Sequence, residues 1–338
     1  SGIISVLSTA LEREEDASVR EVMQLGVALH DAKGDDAESR LGAIGTLSSS
    51  LRPEALTALR GLMESSKDPV TVEAARKAVE SIEDRLLVYA QAENLFFGLS
   101  LGSVLLLAAI GLAVTFGVMG VINMAHGEMV MLGAYTTYVV QVLLPSYIEY
   151  SVLIAIPAAF VVTGCVGIAI ERSVLRFLYG RPLETLLATF GISLILQQAV
   201  RTVFSPLNRA VETPGWMTGV LEINPALALT YNRLYIILFA LMVLAGLALL
   251  LKRSRFGLEV RAVTQNREMA KAMGIRTARV DALTFGLGSG IAGMAGVALS
   301  QLTNVGPNMG QAYIVDSFMV VVRSEEHTSE LQSQFRIS

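Results

Sequence analysis

Residues 120–135 have the sequence GVINMAHGEMVMLGAY, which decides the fold because it sets three polar side chains inside a strongly apolar region. These side chains belong to Asn123, His126 and Glu128. A charged or strongly polar group that faces lipid costs on the order of a few kcal/mol, so such groups in a membrane protein face protein, water or a bound solute. We therefore predict that the three side chains point inward.

Two interpretations of these side chains remain open. In the first, Asn123 and His126 hydrogen-bond the free backbone groups of a broken helix, and Gly120 and Gly127 permit the break. In the second, they contact a solute, because discontinuous helices often lie at solute-binding sites in membranes. The candidates for a solute pathway are Asn123, His126 and Glu128, with Gln197 and Gln198 as weaker ones.

The apolar region extends over most of the chain. Of 338 residues, 53% are hydrophobic and the mean hydropathy is +0.55, which exceeds the usual range of soluble proteins. Residues 1–94 are polar, whereas residues 95–322 fall into apolar runs about 20 residues long, the length that an α-helix needs to cross a bilayer. We predict an all-α, polytopic transmembrane protein with an N-terminal soluble domain, residues 1–94, and a membrane domain, residues 95–322.

The N-terminal domain has apolar residues at helical spacing. The stretch RPEALTALRGLMESSKDPVTVEAARKAVESI, residues 52–82, resembles a HEAT-like helical repeat, with Pro53 and Pro69 each in the first turn of a helix. An unrelated small helical bundle is the alternative.

Charge patterning predicts the topology of six spans, near residues 95–119, 128–144, 152–170, 185–204, 233–251 and 281–302, with a seventh that begins near Ser317. The connections 171–182 and 252–279 hold most of the basic residues of this domain, so both are predicted to be cytoplasmic. Counting back from them places the N-terminal domain in the periplasm. If residues 120–128 are instead a broken helix within one span, that domain is cytoplasmic.

Several functions are excluded by missing patterns. The net charge of −4 gives no basis for binding nucleic acid, and a single cysteine, Cys165, forms neither a disulfide framework nor a thiolate metal site. The sequence has no phosphate-binding P-loop, no His-Glu-x-x-His metal motif and no nucleophile elbow. We therefore expect no metal, no cofactor and no enzymatic activity.

The span 281–302 carries small residues four apart, a spacing that lets helix backbones approach closely in lipid. The residues predicted to serve helix packing are Gly286, Gly290, Gly293 and Gly296.

Three separated motifs resemble the permeases of the branched-chain amino acid class of ABC importers. They are GVINMAHGEMVMLGAY, LATFGISLILQQAVRTVF and RFGLEVRAVTQNREMAKAMGI, in the family's order. The N-terminal extension and the sequences of the first and fourth spans are most similar to a permease subunit of the urea importer. The resemblance implies inward transport of urea, or of a similar small polar solute, across the bacterial inner membrane. Branched-chain amino acid import is the alternative, and a passive urea channel is a third interpretation.

The resemblance also implies partners: a second permease subunit, two cytoplasmic ATP-binding subunits, a periplasmic solute-binding protein and membrane lipid. The basic loop from Phe256 to Ile275 matches the family's ATPase-contacting loop, with Ala270 and Gly274 at its Ala and Gly signature positions. Its predicted contact residues are Arg261, Gln265, Asn266, Ala270 and Gly274. On charge alone, a loop that only orients the spans is the alternative.

The C-terminal stretch departs from the family pattern. The string RSEEHTSELQS resembles a translated sequencing adapter and interrupts an apolar run with charges. We therefore expect residues 323–338 to be non-native.

Overall fold

The computed structural model describes residues 2–11, 13–34 and 36–321. The chain forms two compact units. One comprises the residues up to Phe97 together with Val220–Leu229, and the other comprises Gly98–Gly219 and the chain from Thr230 onward. The tail predicted to be non-native lies outside the described residues.

Helices build the first unit. They are α1 (Gly2–Leu11), α2 (Ala17–Asp31), α3 (Ala37–Ser49), α4 (Pro53–Ser65) and the beginning of α5 (Pro69–Met119). Their core includes Leu25, Ile44, Leu47, Leu59 and Ile82. Proline occupies the first turn of α4 and of α5, as predicted.

Acidic residues cap two of these helices. The Asp36 carboxylate accepts hydrogen bonds from the amide and the hydroxyl of Ser39, at 3.0 and 2.6 Å. These bonds hold the pKa of Asp36 below its usual value. Asp68 caps α5 in the same way, by accepting from Thr71.

The last helix of the polar region and the first span form one continuous helix, α5, of 51 residues. Between Val70 and Phe97 the sequence contains neither glycine nor proline, so nothing ends the helix before the apolar run begins.

The second unit contains the membrane helices, which are the end of α5, α6 (His126–Leu143), α7 (Ile148–Ser173), α8 (Pro182–Phe204), α9 (Tyr231–Arg253) and α12 (Thr277–Ser300). Five of the six predicted spans lie in helices long and apolar enough to cross a membrane. The exception is α6, because its 18 residues include His126, Glu128 and Gln141. Helix α12 lies at the centre of this unit and packs against α6 and α7.

Shorter elements complete this part of the chain. The basic loop forms α10 (Arg255–Gln265) and α11 (Arg267–Ala272). The described part of α13 is Met309–Val321, so this helix begins eight residues before the predicted position, Ser317.

The described chain also contains one short β-hairpin. Residues Val220–Asn224 form strand β1 and pair with β2, Leu227–Thr230. The turn is stabilised by the Asn224 side chain, which accepts a hydrogen bond from the Ala226 amide at 2.9 Å. An apolar-polar alternation around Asn-Pro is typical of such a hairpin, but it is short beside the spans on either side.

Candidate functional site

The chain breaks at the stretch that decides the fold. Helix α5 ends at Met119, Gly120 has a φ of +64°, and α6 begins at His126. Glycine adopts this left-handed conformation without the steric cost that other residues pay. Within the break, the Asn123 side chain accepts a hydrogen bond from the Ala125 amide at 3.0 Å, so it does satisfy a free backbone group.

His126 lies fully buried at the start of α6. Its Nε2 atom is 2.8 Å from the carbonyl oxygen of Ala108 in α5. Since a carbonyl only accepts, Nε2 carries the hydrogen, and Nδ1 is then an acceptor in the neutral ring. His126 therefore ties α6 to α5, whereas Gly127 serves close packing, because a Cβ there would overlap the carbonyl oxygen of Gly310 in α13.

Glu128 is 1% exposed and faces α8. Its Oε1 atom accepts hydrogen bonds from the Ser193 hydroxyl at 2.9 Å and from the Gln197 amide at 2.7 Å. The predicted residues Glu128 and Gln197 thus lie in direct contact. Gln198, the other weaker candidate, is exposed and faces away from this contact.

Two residues of this site were missed by the sequence analysis. Ser193 binds Glu128, and the Thr189 hydroxyl accepts a hydrogen bond from the Met124 amide in the break at 3.1 Å. Both are buried. Their signal is present in the sequence, because Thr189, Ser193 and Gln197 follow one another at four-residue spacing and share one face of α8.

In the basic loop, three of the predicted contact residues make internal bonds. Asn266 caps α11 by accepting from the Met269 amide at 2.9 Å. Arg261 donates to the carbonyl oxygen of Leu251 at 2.5 Å. Gly274 has a φ of +88° and follows α11, and its amide donates to the carbonyl oxygen of Lys271 at 3.0 Å. Gln265 is exposed.

The predicted contact residue Ala270 is only 5% exposed and packs against this chain's own Val260, Val263 and Val280. Met269 in α11 and Met273, the residue that caps its C-terminus, point outward and are 60% and 78% exposed.

An ion pair joins the loop to the central helix. Arg267 at the start of α11 donates to Asp281 in α12, and its guanidinium carbon lies 4.3 Å from the ring centroid of Tyr179. Burial raises the pKa of the Tyr179 phenol. Asp281 is 1% exposed and Arg267 is one-third exposed, so this contact is largely withdrawn from water.

The glycines of α12 lie against neighbouring helices. A Cβ at Gly286 or Gly290 would come within 2.7 Å of the side chains of Ile168 and Phe160 in α7. A Cβ at Gly293 would overlap Thr163 of α7, and one at Gly296 would overlap the backbone of α6. The predicted packing residues therefore lie where α12 packs closely against α6 and α7.

Comparison with known proteins gives one family. The model of the branched-chain amino acid transport system permease component matches residues 94–323. A high-affinity branched-chain amino acid transport system permease protein from Pseudomonas aeruginosa is 32% identical over 244 residues, which cover 70% of this chain and 79% of that protein.

Further relatives have the same description. The high-affinity branched-chain amino acid transport system permease proteins of Salmonella typhimurium and Escherichia coli are each 32% identical over 223 residues, 63% of this chain and 71% of theirs. No solved structure matches the chain significantly.

Proposed function

The chain belongs to the family of branched-chain amino acid transport permeases, and we propose that it carries a branched-chain amino acid inward across the bacterial inner membrane as one permease subunit of an ABC importer. It is a transport subunit and not an enzyme. The observation that carries the proposal is the family match across residues 94–323, and it includes the break and the basic loop.

The site is compatible with this function. Glu128, Ser193 and Gln197 form a buried polar contact among helices that are mainly apolar. Polar groups inside a membrane protein are costly and commonly mark the path of a solute. Thr189 extends this contact to the broken segment, where transport proteins place their binding sites.

The cargo differs from the first expectation from sequence. The resemblance favoured urea, whereas the relatives above are named for branched-chain amino acids. We therefore propose the amino acid as cargo, and the urea interpretation is not supported.

Uptake in cells tests the cargo. Cells with the complete importer should accumulate radiolabelled leucine, and deletion of this chain should abolish that uptake while urea uptake stays unchanged. If the deletion abolishes urea uptake and leaves leucine uptake unchanged, the cargo is urea and not leucine. Uptake of either solute without ATP or a binding protein would indicate a passive channel instead.

We further propose that α10 and α11 contact the ATP-binding subunits. Support comes from Leu258, Met269 and Met273, whose apolar side chains are exposed among basic residues. Large apolar side chains exposed together at a surface mark a site where another protein binds. Met273→Glu should weaken co-purification with the ATPases, because it places a charge in an apolar contact. Ile223→Glu in the hairpin, at a side chain 57% exposed, is the matched control and should have no effect. If both variants co-purify with the ATPases equally well, the loop serves only to orient the spans.

We propose that the N-terminal domain lies in the periplasm, from the distribution of basic residues in the two connections. In a Cys165→Ala background, Ser65→Cys should react with a membrane-impermeant maleimide in intact spheroplasts, because Ser65 is exposed. Met273→Cys, on the predicted cytoplasmic side, should react only after lysis. Labelling of Ser65→Cys only after lysis would place the domain in the cytoplasm. That result is expected if residues 120–128 lie within a single span.

A further inference from the structure

Helix α8 has a polar buried face and an apolar exposed face. Thr185, Thr189, Ser193 and Gln197 are each at most 4% exposed. On the outer face, Leu187 and Ile195 are each 68% exposed. This arrangement suits a helix that turns apolar side chains to lipid and polar ones to a polar interior. We name the four buried residues the α8 polar stripe.

The α8 polar stripe meets the break between α5 and α6. The Thr189 hydroxyl accepts from the Met124 amide, and its oxygen is 3.3 Å from the carbonyl oxygen of Ile122. One helical turn further along α8, Ser193 reaches Glu128, and the next turn brings Gln197 to the same carboxylate oxygen. The stripe therefore binds both the broken backbone and the first carboxylate of α6.

The Glu128 carboxylate is only half satisfied. Oε1 accepts from two neutral donors, while Oε2 is buried and has no hydrogen-bond partner within the described part of the chain. The described structure also gives no partner to the buried Nδ2 atom of Asn123. A buried carboxylate without a cation is costly, so a cation or strong donor that entered this site would be favoured.

We propose that Glu128 Oε2 accepts a hydrogen bond from an N–H group of the transported solute, which in an amino acid is the α-ammonium. This inference rests on the proposed function and names the chemistry that its site recognises. Ser193 and Gln197 are positioning residues, because they hold Oε1 and so direct Oε2 away from α8. The ammonium places a positive charge in direct hydrogen-bond contact with the carboxylate, whose two donors in the described structure, Ser193 and Gln197, are neutral.

The test uses the importer reconstituted in proteoliposomes with its partner subunits, with radiolabelled leucine and radiolabelled urea as probes. Glu128→Gln keeps an oxygen that accepts from Ser193 and Gln197, but it removes the charge. We expect leucine uptake per assembled complex to fall about tenfold or more, the usual effect of losing a charge-assisted hydrogen bond. Glu128→Asp, which keeps the charge, should retain more uptake than Glu128→Gln.

A matched pair on α8 tests the positioning role. Gln197→Leu should lower uptake and Gln197→Asn should restore part of it, because asparagine keeps a donor. Gln198→Leu, one residue along and exposed, should leave uptake unchanged. If Glu128→Gln does not assemble, this pair decides the proposal: equal uptake in Gln197→Leu and Gln198→Leu overturns it.

The two probes separate this inference from the proposed function. If the unaltered importer carries urea and not leucine, the proposed cargo is wrong, and the role of Glu128 is then judged on urea uptake. Glu128→Ala, which removes the acceptor, should abolish uptake of whichever solute is carried. Normal uptake of that solute in both Glu128→Gln and Glu128→Ala overturns the inference whatever the cargo.

Discussion

Gly133 of α6 and Gly293 of α12 approach so closely that a Cβ on Gly133 would overlap the backbone of Gly293. On its other side Gly293 faces Thr163 of α7. In lipid, apolar burial gives helices little reason to associate, so van der Waals contact between backbones supplies much of the packing energy. This glycine pair therefore sets the separation between the central helix and the helix that carries Glu128.

Gly133→Ala should destabilise the membrane unit by about 1–3 kcal/mol, because the added methyl group must displace backbone and not a flexible side chain. The measurement is the thermal unfolding of the detergent-solubilised protein. Gly246→Ala in α9 is the control, since a Cβ there has no atom of the described chain within 4 Å, and it should leave stability unchanged or slightly raised. If Gly133→Ala and Gly246→Ala melt at the same temperature, α6 and α12 can move apart with little loss of stability.

The cap of α3 gives the chain a pH-dependent stability. Ser39 holds the pKa of Asp36 below its unfolded value, so the stabilisation is present above that value and is lost as pH falls through the lower, folded one. Asp36→Asn still caps the helix but cannot titrate. Its stability should therefore fall less than that of the unaltered chain as the pH is lowered below about 4.

Thermal unfolding of the full chain at a series of pH values measures this difference. Glu38→Gln removes the same charge from the same helical turn, at a side chain for which the described structure shows no hydrogen bond, and is the control. An acid response in Asp36→Asn as steep as that of the unaltered chain and of Glu38→Gln would contradict the assignment.

The sequence predicts helices well where a helical periodicity of apolar residues, or the length of an apolar run, is enough to define them. The spans in α7, α8, α9 and α12 follow from apolar runs that only a helix can carry through lipid. The continuity of α5 was missed because the change from a polar to an apolar composition looks like a domain boundary even where no residue ends the helix. The hairpin was missed because its pairing is short and depends on residues across a turn.

The site shows the same limit. Glu128 is conspicuous because a charge in an apolar region needs a reason, whereas Thr189 and Ser193 are small hydroxyls that a membrane helix carries at low cost. Only the packing of α8 on the break shows that Ser193 faces Glu128 and that Thr189 faces the Met124 amide. The burial of Ala270 could not be predicted either, because which face a helix of six residues turns inward is decided by its neighbours.

The turn at Gly274 should depend on the backbone conformation of this residue and not on the room available for a side chain. A Cβ at this position meets no atom of the described residues within 4 Å, but the φ of +88° is unfavourable for β-branched residues. Gly274→Val should therefore disturb the end of α11 and lower leucine-stimulated ATP hydrolysis in the assembled importer. Gly274→Asn, which tolerates this conformation, should have a much smaller effect. Similar losses in both would indicate that the side chain itself obstructs a partner.

The ion pair of Arg267 and Asp281 should contribute far more to the free energy of unfolding than an exposed ion pair does. Arg267→Gln leaves the carboxylate of Asp281 buried and without its cation, which costs about 3–5 kcal/mol at fully buried sites and less here, because Arg267 is one-third exposed. Arg181→Gln breaks the pair with Glu184, whose side chains are more than half exposed, and should cost at most about 1 kcal/mol.

Thermal unfolding of the solubilised protein compares the two variants. The double variant Arg267→Gln with Asp281→Asn should recover much of the lost stability, because it removes the unpaired charge and keeps two groups that can hydrogen-bond. If Arg267→Gln is as harmless as Arg181→Gln, or if the second substitution adds its own loss, the connection between the basic loop and α12 does not depend on this pair.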